Sequence, residues 1–365
     1  MDPTRQFLDQ ALLEIGIAAY VTGALVLLGY FLTRRPLLRT IGMPLAIVGC
    51  AAQFAELGAR WWMTGVWPLT NLYGSLSLFS ACAVAIFLAF AYKYDLSFVG
   101  GPVLALAAIA LGYATTWNEG TMPAVPALQS YWIKIHVPIV ITSYASFMVA
   151  FCVSIMYLVK AAAEQRFRSG PVAKLRGAAA GAGGASVDLS MRSSYSPASD
   201  ALRAGNALGT GDALRVSRDE TPAITQAAAA GDPLAQWLAG LPTLARLDVL
   251  QYRIIAVGLP LLSLGIITGA MWAKEAWGAY WQWDPKETAA LVSWIVYAAY
   301  MHLHTRANWR GTKTALVSVF GFLTIIFCYL GVNIWISGLH SYKICLLYTS
   351  PSPRDRTRSR MPSSA

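Results

Sequence analysis

Eight stretches of this chain are apolar and nearly free of charge: 13–33, 41–58, 75–92, 97–115, 136–159, 250–272, 288–305 and 314–336. A bilayer core takes about 20 helical residues to cross. Within it, every backbone amide must be bonded inside its own segment. Repeated runs of that length predict an all-α polytopic integral membrane protein with about eight transmembrane helices. The balance of 56% hydrophobic to 13% charged residues agrees.

The formal net charge of +10 raises nucleic acid as a partner, but the positions of the charges exclude it. Arg34, Arg35 and Arg39 follow the first run, and Lys93 follows the third. Lys160, Arg166, Arg168, Lys174 and Arg176 follow the fifth, and Arg306, Arg310 and Lys313 follow the seventh. If eight helices alternate, these loops share one side, while the opposite loops carry Arg60, Lys134, Lys274 and Lys286. Basic loops stay cytoplasmic, so both termini are expected to be extracytoplasmic. The first run has no basic region before it and no small-residue cleavage site, and reads as a retained helix.

Four regions follow. Residues 1–160 form an N-terminal membrane half of five helices. Residues 161–246 are rich in Ala, Gly and Ser and read as a low-complexity cytoplasmic linker. A short amphipathic helix is expected near 233–247, with Trp237, Leu241 and Leu244. Residues 247–342 form a C-terminal membrane half of three helices. Residues 343–365 have no packing pattern and read as a non-native tail.

Of the five cysteines, Cys50, Cys82, Cys152 and Cys328 fall in apolar runs, Cys345 lies in the tail, and no C-x-x-C is present. They read as small buried hydrophobes, so a thiol–disulfide relay is not expected in this chain.

The candidate chemistry centres on Trp277-Gly-Ala-Tyr-Trp-Gln-Trp-Asp-Pro-Lys-Glu287. Indoles suit a membrane boundary, and packed this densely they offer a platform for a large aromatic ligand. Trp277 and Trp281 are four apart, so a helical turn would stack them on one face. Trp283 would point elsewhere. Asp284, Pro285 and Glu287 have the spacing of a helix start, with Asp284 as N-cap. His136 and His340 are predicted on the same outer side as these tryptophans. Two imidazoles from different helices can hold one porphyrin iron; alternatively both are interfacial histidines bonded to water or backbone. His302 lies 18 residues beyond Asp284, about 27 Å along a helix, too far to share that metal. An ionisable group at membrane depth is a functional candidate in its own right. His304 points about 200° away from His302 and is expected at the interface near Arg306. Trp67-Pro-Leu-Thr-Asn-Leu-Tyr-Gly-Ser75 reads either as lining of the outer site or as a turn with interfacial anchors.

With these residues in order, the chain resembles the tryptophan-rich, haem-handling WWD proteins of cytochrome c maturation. Within them it resembles the CcsA/ResC family of System II, called CcsB in some bacteria. The supporting motifs are Asn71-Leu-Tyr73, Ile135-His136-Val137, Leu247-Asp248 with Tyr252-Arg253, Trp272-Ala273, the WWD segment, and Gly338-Leu-His340-Ser-Tyr. One departure is Gly74, where many relatives carry Glu. Another is the change of sequence after Tyr342, which bears on the surroundings of His340.

The resemblance implies haem b as cofactor, with His136 and His340 as its outer axial ligands. It implies Trp277, Trp281, Trp283 and Asp284 at the ring edge, and His302 at a membrane-embedded transit site. It implies a protein of the bacterial inner membrane that carries haem outward and presents it for thioether attachment to apocytochrome c. This would make the chain a subunit of a haem-attachment complex, with no catalytic residue of its own. Expected partners are a CcsB/ResB-like membrane subunit, apocytochrome c and thiol-reducing membrane or periplasmic proteins. Two other readings stay open: a haem transporter with no attachment role, and a haem-free membrane interaction subunit.

Overall fold

The computed structural model describes residues 3–117, 126–169, 225, 228–229, 231–307 and 309–336. Among the described residues, ten α-helices span Pro3–Thr33 (α1), Pro36–Thr64 (α2), Leu72–Tyr94 (α3), Gly100–Thr115 (α4), Tyr131–Ser169 (α5), Pro233–Ala239 (α6), Leu244–Trp277 (α7), Pro285–Thr305 (α8), Thr312–Ile326 (α9) and Val332–Trp335 (α10). A π-helical turn over Phe327–Gly331 joins the last two. Short 3₁₀ turns precede α4 and α5.

Seven helices, among the described residues, are long and apolar enough to cross a membrane. The chain is an all-α multi-pass membrane protein. The eighth expected span forms a helix, α8, but is not one of those seven. Its apolar run is diluted by His302, His304, Tyr297, Tyr300 and Trp294.

Local chemistry sets several boundaries. Asn71 caps α3 by accepting from Gly74 N at 2.9 Å. Thr243 caps α7 by accepting from Arg246 N at 3.3 Å. That cap divides the helix expected near 233–247: α6 ends at Ala239 and α7 begins at Leu244. In the other direction α5 continues to Ser169, into the stretch read as linker. Between these ends, Lys160 Nζ donates to Leu241 O and Pro242 O at 3.0 and 2.6 Å. Trp237 Nε1 donates to Phe31 O at 2.8 Å, its ring edge-on to Phe31. The linker's C-terminal end is therefore fastened to the ends of α1 and α5.

Small residues set the helix registers. On α2, Gly42 admits Leu27 and Gly49 admits Tyr20, an antiparallel pairing with α1. Helix α5 is central, packing against α3, α7 and α9, most extensively against α7. At its core the Phe147 ring stacks on Tyr297 of α8 at 3.6 Å and 8°.

Candidate functional site

Three glycines of α7 face α5, and each receives a side chain. Gly258 meets Phe147, Gly265 meets Val140 and Gly269 meets His136. A step back along α5 matches an equal step along α7, as antiparallel helices require. A Cβ at Gly269 would stand 2.7 Å from His136 Cε1, so the imidazole occupies a notch that only glycine leaves open.

His136 is half-buried there. Its Nδ1 lies 2.8 Å from Gly265 O. A carbonyl only accepts, so Nδ1 donates and carries the proton. Nε2 is then the nitrogen with the free lone pair. The ring also stacks on Trp272 at 6.0 Å and 19°. Trp272 is buried against Leu128 and Ile133 and meets Trp277 at 4.7 Å.

Helix α7 stops at Trp277 because Gly278 takes φ +85° and its N–H returns to Lys274 O at 3.0 Å. The expected helical stack of Trp277 on Trp281 is therefore absent, the two lying on opposite sides of that stop. Trp277 pairs with Trp272, while Trp281 meets Trp283 edge-on at 5.7 Å and 90°. Trp283 has φ +57°, a left-handed conformation costly for a bulky residue. Its indole is 69% exposed. Asp284 then caps α8, accepting from Lys286 N at 3.1 Å. Glu287 completes the capping box by accepting from Asp284 N at 3.2 Å, and it also holds Gln282 N at 2.9 Å. The predicted helix start is present, and it fixes the end of the tryptophan loop.

The π-turn cross-braces this end. Tyr329 Oη donates to Ser75 Oγ at 2.8 Å, reaching the first turn of α3 behind its Asn71 cap. Cys328 Sγ lies 3.4 Å from Tyr144 Oη of α5 and 3.7 Å from Lys286 O of α8. π-Turns inside α-helices often mark functional sites. In the first turn of α3, a Cβ at Gly74 would overlap the Pro68 carbonyl, so glycine lets the preceding loop close onto the helix.

A second polar cluster was missed from sequence. Glu56 accepts from Tyr73 Oη at 2.9 Å and Ser77 Oγ at 3.1 Å, and lies 3.1 Å from Arg60 Nε. Arg60 also bonds Asp9 and stands over the Tyr73 ring at 4.2 Å. The available signal was Glu56 itself, a carboxylate inside an apolar run.

At the far end of α8 the two histidines differ. His302 is exposed, on the outward stripe that carries Val292 and Ile295. His304 was expected at the interface and is buried instead. Its Nε2 lies 3.1 Å from Asp248 Oδ2, and its ring stacks on Tyr252 at 4.5 Å. Asp248 Oδ1 also accepts from Gly311 N and Thr314 Oγ1, at 3.1 and 3.2 Å. The 200° offset turned His304 inward because a carboxylate waits there on α7. His340 and residues 343–365 lie outside the described residues.

Fold and site together define a multi-pass helical membrane protein whose histidine, in a fixed tautomer, is gathered with indoles at one end of the bundle. The family described as cytochrome C assembly protein matches residues 69–340. A cytochrome c biogenesis protein CcsA of Synechocystis is 38% identical over 295 residues, 79% of this chain and 83% of that protein. That of Gloeobacter violaceus is 35% identical over 329 residues, 89% and 93% of the two chains. A solved structure, the cytochrome c haem lyase CcmF, shares the fold with a TM-score of 0.50 at 14% identity, over 90% of this chain and 50% of that one. The chain belongs to the cytochrome C assembly protein family, and its role is in cytochrome c biogenesis.

Proposed function

We propose that the chain binds haem b, moves it across the bacterial inner membrane and presents it for covalent attachment to apocytochrome c. The observation that carries this reading is the hydrogen bond from His136 Nδ1 to Gly265 O. It leaves Nε2 as the basic nitrogen. A backbone carbonyl on the distal ring nitrogen is the usual support of a metal-bound histidine. Beside it, Trp277 supplies an apolar face for a porphyrin, backed by the buried Trp272. In this reading His340 would supply the second imidazole to the iron, and Trp281, Trp283 and Asp284 would border the macrocycle.

In the transport step, haem enters at His302, with the exposed face of α8 completed by a CcsB/ResB-like membrane subunit. Both termini are extracytoplasmic, with α8 as the eighth span. The thioether bonds form between haem vinyl groups and cysteine thiols of apocytochrome c, kept reduced by separate thiol-reducing proteins. Haem brings the reactive vinyl groups; the chain ligates and orients it. It acts as a subunit of the attachment complex.

The test is the absorption spectrum of the purified complex with His136→Ala, His302→Ala and His340→Ala beside the parent. Loss of the bis-imidazole spectrum is expected for the first and third. If all three keep the parental spectrum, the ligand assignments are wrong.

A further inference from the structure

We infer that Lys286 recognises an acidic substituent of the bound macrocycle, an inference that rests on the porphyrin reading of this site. Lys286 is the second residue of α8, directly behind the tryptophan loop. Both ends of the residue are tied. Its carbonyl accepts from Cys328 Sγ, and its Nζ donates to Asn333 Oδ1 at 2.9 Å. Asn333 is held in turn, its Nδ2 donating to Tyr329 O at 2.7 Å. The amide therefore turns its oxygen to the lysine, and the ammonium is fixed in place.

An ammonium has three N–H donors. Among the described residues, Asn333 is its one acceptor, and no carboxylate lies within 4.0 Å of Nζ. Asp284 acts on it from farther off, with a carboxylate engaged in capping. The other cations of this end are differently placed. Arg60 is paired with Asp9 and Glu56. Lys134 is exposed. Lys274 is exposed and bonded to Gly278 O. Lys286 is half-buried, at the start of the helix that follows the tryptophan loop.

A half-buried cation with no carboxylate in contact is costly, and an anion offered by a ligand relieves that cost. Because the stem is already immobilised, little side-chain entropy remains to be lost on binding. A lysine supplies a point charge, suited to a single carboxylate that approaches while iron is held at Nε2 of His136. The ligand class is thus a porphyrin carrying carboxylates, distinguished from a neutral porphyrin of the same ring.

The experiment uses the full-length chain in detergent, freed of co-purified pigment. It is titrated with ferric protoporphyrin IX and with its dimethyl ester, following the Soret band. The parent is expected to bind the diacid about tenfold more tightly than the diester, a gap of the size one charge pair gives. Lys286→Met should bring the two affinities within about twofold of each other, leave the Soret position of the bound diacid unchanged, and keep the histidine ligation. Lys286→Arg should retain the preference. Equal affinities in the parent overturn the assignment without recourse to any variant. So does a Met variant that keeps the parental ratio. A parent that takes up neither porphyrin removes the porphyrin reading itself, a result distinct from equal binding of both.

Discussion

At the scale of single residues, the Gly265 carbonyl and the Gly269 notch decide what His136 can do. One fixes the proton on Nδ1; the other gives the ring its place. Gly269→Val should push the imidazole out of line, because an added Cβ already falls 2.7 Å from Cε1. The expected result is a protein that still inserts and purifies but shows at least about a tenfold weaker haem affinity, measured by Soret titration. An unchanged affinity would mean that the notch has no bearing on ligation. The Asp248–His304 contact has a different role. Asp248→Ala strands donors on His304 and Gly311, while Thr314 Oγ1 keeps the Gly311 carbonyl as acceptor. Stranded buried donors of this kind cost about 1–3 kcal/mol each, so thermal unfolding in detergent should begin several degrees lower, with the haem spectrum of the surviving fold intact. His136 was legible in the sequence from its place at a helix start near the tryptophans. Its glycine notch was not, since the pairing of 136 with 269 follows from helix register and not from local pattern. His304 was misplaced for the same reason: the offset from His302 is visible, but the carboxylate that draws it inward lies 56 residues away.

Among elements, the tryptophan loop and the π-turn carry the site. The loop is clamped by a glycine stop after Trp277 and a capping box at Asp284, and Trp283 bears the backbone strain between them. The Asp-Pro-x-Glu spacing made the second clamp readable in advance. The first was obscured, since four-residue spacing of Trp277 and Trp281 imitates a continuing helix. The π-turn had no sequence signal of its own. It joins the first turn of α3 through Tyr329 and joins α5 and α8 through Cys328. Tyr329→Phe removes the bond to Ser75 and little else. Faster hydrogen exchange in residues 70–76 is the expected outcome, by mass spectrometry, with α5 unaffected. Equal exchange in both proteins would show that the brace is not what orders the start of α3.

For the whole molecule, α5 is the axis on which the two membrane halves are assembled. The apolar runs made the helices legible, since bilayer thickness dictates their length. The end of the linker was less so: Trp237 and Leu241 were visible as an amphipathic patch, but their seats on Phe31 and Lys160 belong to other helices. Trp237→Ala should free that end. Limited proteolysis of membrane vesicles should then cut between 231 and 243 faster than in the parent, with no loss of the helices. The same protection in both proteins would deny the fastening.

The proposed role of His136 is to hold the haem iron at Nε2. It is tested most directly by His136→Gly in the full complex, with imidazole supplied in solution. The variant should show a high-spin, weakened Soret band that returns to the parental low-spin form as imidazole is added, while an equal concentration leaves the parent unaltered. A His136→Gly protein whose spectrum matches the parent before any imidazole is present would contradict it.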